Sequence, residues 1–99
     1  MTWTETYKDL GIVRENVNLT ITFEGSDSDG IGIKRVITSC GCTKAYFDKV
    51  TNQLKLTYKT KRIPHHLVAQ GWYKTKKSVT VLDVKGIKTI LTFEVKVIK

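Results

Sequence analysis

Two cysteines separated by one glycine, Cys40-Gly41-Cys42, form the most chemically specific spacing in the chain. Thiols placed this way can ligate a soft metal, cycle as a dithiol, or pack as small hydrophobes at a strand end. A closed zinc site needs four ligands, so the pair would have to recruit His65 and His66, the two histidines of the sequence. Adjacent imidazoles converge poorly on one ion, and the spacing matches no familiar zinc module. A disulfide across a single residue would close a small, strained ring. The first twenty residues carry no basic-then-apolar secretion signal, so a reducing compartment is expected. The expectation is therefore a turn holding two part-buried free thiols.

Other candidate chemistry is sparse. Asp27-Ser28-Asp29-Gly30 begins like a calcium loop, but the Glu that an EF-hand needs falls on Thr38, and no flanking helices are predicted. It reads as a polar hairpin tip with at most a weak cation contact. A nucleophile and base would require Cys40 or Cys42 beside His65 or His66, oriented by a third group. Asp48 and Asp83 have no motif around them, and the chain lacks a phosphate-cradling glycine loop, a nucleophile elbow and a paired-carboxylate signature. No catalytic residue, metal site or cofactor is expected, and the chain does not read as an enzyme.

The richer constellation is basic. Lys59, Lys61 and Arg62, then Lys74, Lys76 and Lys77, bracket a segment holding His65, His66, Trp72 and Tyr73. Aromatics interleaved with cations suit single-stranded nucleic acid, where rings stack on bases and cations hold phosphates. The same mixture anchors protein interfaces. Trp72 also fits the buried core aromatic of a β-sandwich. The wider charge distribution agrees with a localised patch. The net charge is +8, yet residues 1–50 carry six Lys/Arg against seven Asp/Glu, while residues 51–99 carry eleven against two. A basic half of this kind attracts nucleic acid, anionic membrane or an acidic protein.

These residues must be positioned by strands. Val17, Leu19, Ile21 and Phe23 alternate with polar neighbours, as do Leu54, Leu56 and Tyr58, and Leu91, Phe93, Val95 and Val97. Ile31 to Thr38, Thr43 to Val50 and Lys76 to Val84 are rich in β-branched or aromatic residues, and a short opening strand is expected around Trp3 to Lys8. Gly25 to Gly30, Thr51-Asn52 and Lys85-Gly86 supply turns. Pro64 bars a central strand from the long connection Arg62 to Gly71. No stretch shows a helical stripe, and no apolar run is long enough to span a bilayer. The 99 residues, of 11.3 kDa, predict one domain over 1–99. Size scaling gives a folded surface of about 5,700 Å². The predicted fold is all-β, an immunoglobulin-like antiparallel sandwich of about seven strands.

The run Leu10-Gly11, a strand ending at Phe23, and Ile33 through Ser39-Cys40-Gly41-Cys42-Thr43 resembles a bacterial and phage domain-of-unknown-function family with a Ser-Cys-Gly-Cys-Thr signature. Gly71 through Val84 falls where that family places a glycine-aromatic start and a hydrophobic strand. The resemblance implies a small immunoglobulin-like sandwich akin to major sperm protein, with no reaction or cofactor. The family's bacterial members commonly carry an export or lipoprotein signal, which this sequence lacks, so a cytoplasmic or virion-borne protein is expected. The reading is a structural or interaction module, most concretely a phage virion component such as a capsid decoration, cement, connector or tail accessory protein. Its expected partner is a repeated acidic assembly, with homo-oligomerisation open and no membrane span. A cytoplasmic single-stranded nucleic-acid-binding sandwich is the alternative, and a Cys-Gly-Cys redox or metal module the third.

Overall fold

In the computed structural model, residues 2–26 and 32–99 are described. The expected hairpin tip at 27–30, and the weak cation contact expected of it, lie outside them. Among the described residues eight strands form: β1 (Thr2–Trp3), β2 (Tyr7–Arg14), β3 (Asn18–Ser26), β4 (Ile33–Thr38), β5 (Thr43–Asp48), β6 (Gln53–Lys59), β7 (Trp72–Asp83) and β8 (Lys88–Ile98). A short 3-10 helix, His65–Leu67, sits in the long connection after Pro64.

Most of the alternating residues make the core; Val17, expected at the start of its strand, instead precedes β3 and is exposed, its N–H taken up by Thr60 Oγ1. Phe23, Leu54, Leu56, Val79, Leu91, Phe93, Val95 and Val97 are all fully buried, each from the same face of its strand. Tyr58 and Phe93 meet across the interface with ring centroids 5.4 Å apart. Burying a side chain of this size stabilises by about 1.5–3 kcal/mol, so the seam between the sheets dominates folding.

The two sheets run β1-β3-β6-β5 and β2-β8-β7-β4. That is the strand order of a constant-type immunoglobulin sandwich with its first strand divided between the sheets. The division corrects the expected single opening strand at Trp3 to Lys8. β1 pairs antiparallel with β3, then the chain crosses and β2 runs parallel to β8. The described residues therefore form eight strands, with one parallel pair. β2 escapes alternation because its register shifts between Asp9 and Ile12. There Gly11 takes φ +73°, and its N–H donates to Asp9 Oδ1 at 2.9 Å.

β7 also differs from expectation, beginning at Trp72 instead of Lys76. The sandwich is correspondingly long, 51 × 19 × 16 Å. Its accessible surface of 6305 Å² exceeds the expectation for a rounder body. The two tight turns are held by carboxylates. Asp48 Oδ1 accepts from Val50 N at 2.9 Å, with Asn52 at φ 56°. Asp83 Oδ1 accepts from Lys85 N at 2.9 Å and Ile87 N at 3.0 Å. Backbone donors favour the charged form, so both carboxyls lie below the usual carboxylate range.

Candidate functional site

β4 ends early, and that decides the site. Its last paired residue, Thr38, faces Val79, and Ser39 extends the contact by one step. There Ser39 N donates to Ser78 O at 3.0 Å, and Ser78 N donates to Ser39 Oγ at 3.0 Å. The chain then leaves β7 through Cys40-Gly41-Cys42 and enters the opposite sheet as β5. Thr43 N closes this turn on Cys40 O at 3.1 Å. The cysteines are joined by a disulfide, which corrects the expectation of free thiols. The turn brings their Cα atoms to 5.2 Å, within the span a disulfide bridges. Bonded to each other, neither offers the thiolate that metal ligation or nucleophilic attack requires.

Beyond Ser78, residues Trp72 to Lys77 have β8 on one side only. Their side chains divide between two faces. Trp72, Lys74 and Lys76 lie opposite Ile98, Lys96 and Glu94 on the outer face of the sheet. Tyr73, Thr75 and Lys77 lie opposite Val97, Val95 and Phe93 and point toward the other sheet. Trp72 is half-buried, and Lys96 Nζ sits 4.5 Å from its ring centroid. Trp72 is thus not the central core aromatic, and one face of its ring is already occupied by a cation. Tyr73 donates its hydroxyl to Lys61 O at 2.8 Å. It holds the start of β7 to the preceding connection as the tyrosine corner of immunoglobulin-like domains does. Burial is the larger influence on its phenol and pushes it up.

That tether brings the second basic group alongside. Lys59, Lys61 and Arg62 line an open depression of about 380 Å³ with Asn16, Thr60 and Cys42. His65 is placed elsewhere, with Arg62, Glu15, Ile63, Val68 and Lys99 around a second depression of about 350 Å³. His66 is exposed on the 3-10 helix. The ten residues of the predicted patch therefore occupy three places: the outer face, the β7 edge with the 59–62 segment, and the helix end. The sequence reading missed Asn16, Thr60 and Lys96, and had Cys42 only as part of the turn motif. Only Lys96 had a signal, as a polar position alternating with core residues of β8.

Among the described residues, ion pairs join Lys8 to Glu5 at 3.1 Å and Lys76 to Glu94 at 3.7 Å. Glu94 also accepts from the Tyr7 hydroxyl at 2.5 Å, which pushes that phenol up to about 12. No carboxylate among the described residues pairs with Lys59, Lys61, Arg62, Lys74 or Lys77. Nor do three His, Cys, Asp or Glu side chains gather there as a metal site. No helix among those residues is long and apolar enough to cross a membrane.

No family model matches the chain, and neither does any curated protein. Among solved structures it is similar to a variant of the SrpA adhesin from Streptococcus sanguinis, at 15% identity and a TM-score of 0.63. The match covers 98% of this chain and 55% of the adhesin chain, so this chain spans about half the length of that neighbour. A Photobacterium 2,6-sialyltransferase aligns at 14% identity and a TM-score of 0.47 over 96% of this chain and 18% of the enzyme. At these identities the adhesin likeness speaks to the fold, an all-β sandwich.

Proposed function

We propose that this domain is a non-enzymatic interaction module that binds an acidic protein partner through the basic surface around the start of β7. One observation carries the reading: Lys59, Lys61 and Arg62 share a depression tied to the start of β7, the strand that carries Lys74 and Lys77, and none of the five forms an ion pair with a carboxylate among the described residues. Exposed charges of this kind raise encounter rates and select partners by sign more than they add affinity. An adhesin also carries this fold. In its finer form the proposal is a virion component, a capsid decoration, cement, connector or tail accessory protein. Support comes from the Ser39–Thr43 signature and from the fit of a basic face to a repeated acidic shell, where many weak contacts sum. Mass spectrometry of purified particles tests that form, and particles lacking the protein overturn it. The broader reading is tested with the Lys61→Glu, Lys74→Glu double variant, at two exposed lysines outside the ion pairs, which must lose partner binding while unfolding at the wild-type midpoint.

A further inference from the structure

The cations surround an unfinished sheet edge. Ser78 directs both its N–H and its C=O toward Ser39 on the β4 side. Backbone groups in a strand alternate sides, so those of Lys76 and Lys74 point the same way, past the end of β4. Among the described residues no hydrogen bond reaches them from that side. At Trp72 the edge closes, because its C=O accepts from Gln70 Nε2 at 2.8 Å. The disulfide-closed turn steers the chain's own β4 away from this track.

From this we infer that the Lys74–Lys76 edge of β7 takes an extended acidic peptide strand from the partner, laid where β4 would have continued. The inference rests on the interaction-module reading above and gives its binding mode. Strand addition gains specificity from the backbone ladder and from side chains that alternate between two faces. On the outer face, alternate residues of the guest lie opposite Lys74 and Lys76, and opposite charges at such positions attract. On the inner face the guest approaches Lys77 and the Lys59–Arg62 depression, which adjoins through Cys42 and the Tyr73–Lys61 bond. A second copy of this chain is a poor guest, since self-pairing sets lysine against lysine. Lysines on an open edge ordinarily guard against that aggregation. Here the same guard admits a strand of opposite charge.

The test uses the whole domain and a labelled peptide of about eight residues alternating Thr and Glu, long enough to cover the edge. A second peptide carries N-methyl groups on alternate residues, which keep the charge and remove ladder donors. Fluorescence anisotropy should show saturable binding that N-methylation weakens by about tenfold or more, the loss of one or two backbone hydrogen bonds. Lys74→Glu, Lys76→Glu should weaken it by a similar factor. Binding unchanged by N-methylation overturns strand addition and leaves the charged surface standing. No binding of either peptide at low salt overturns both readings. Oligothymidylate binding with a steep salt slope, in place of peptide, overturns both in favour of nucleic acid.

Discussion

Thr60 and Thr43 are both buried threonines, and the same substitution should act on them in opposite directions. Thr60 is wholly inaccessible; its Oγ1 donates to Arg14 O at 2.7 Å and accepts from Val17 N at 2.8 Å. It thereby clamps the β2–β3 turn to the end of β6, beside the backbone bond from Thr60 N to Val17 O at 2.9 Å. Thr60→Val keeps the shape and the β-branching and removes both side-chain bonds. Two neutral hydrogen bonds at about 1 kcal/mol each, plus a penalty for the stranded groups that water only partly reaches, predict a loss of about 2–3 kcal/mol. Thr43 is 5% exposed, and its Oγ1 has no hydrogen-bond partner among the described residues. Thr43→Val removes an unpaired hydroxyl, so it should be neutral or stabilise by up to about 1 kcal/mol. Urea unfolding monitored by circular dichroism separates the two, since a 2–3 kcal/mol loss moves the midpoint by about 1 M or more. If Thr60→Val cost under about 0.5 kcal/mol, or Thr43→Val cost more than Thr60→Val, the hydrogen-bond assignment would be wrong.

Further outcomes follow from the turns and the bridge. Asp48 and Asp83 are held below their ordinary pKa by backbone N–H donors, chiefly Val50 on the first and Ile87 on the second. The stability they contribute is complete above the unfolded value of about 3.9 and is lost as pH falls through the lower folded values. The acid limb of a pH–stability curve should flatten in Asp48→Asn and in Asp83→Asn, and an unchanged limb would refute this. Gly86 adopts φ +87° with open space around it, so Gly86→Ala should cost about 1–2 kcal/mol from backbone conformation alone. A thermal melt shifted by less than a degree counts against that turn geometry. Reducing Cys40–Cys42 releases a very small loop, whose closure entropy is about 1–2 kcal/mol in the chain model. The reduced protein should keep its far-ultraviolet spectrum, and unfolding on reduction would show that the bridge holds more than its own turn.

The core strands were legible because their side chains alternate without interruption. Phe23, Leu56 and Phe93 stand at positions that alternation alone assigns to the interior. β2 was not legible, since the shift around Gly11 breaks its period. Nor was the start of β7, where Trp72, Tyr73, Lys74 and Thr75 offer no apolar alternation, and strand character comes from the full-length ladder with β8. Sheet order depends on pairing between distant segments, so no local pattern revealed the parallel β2–β8 pair. The basic patch was visible as composition, but its division between faces was hidden until the first residue of β7 was known. The disulfide was hidden as well. It depends on how the Ser39–Thr43 turn sets two Cα atoms, which spacing alone does not fix.

Native-state amide exchange along β7 of the free domain tests the central claim most directly. An edge open at Lys74 and Lys76 requires their amides to exchange at close to the unprotected rate. The intervening Thr75 and Lys77, whose N–H groups point to β8, should be slowed by orders of magnitude. That alternation, disappearing when the acidic peptide is added, is the predicted result. Lys74 and Lys76 amides as slow as Thr75 and Lys77 in the free protein would mean that the edge is already satisfied, and would contradict it.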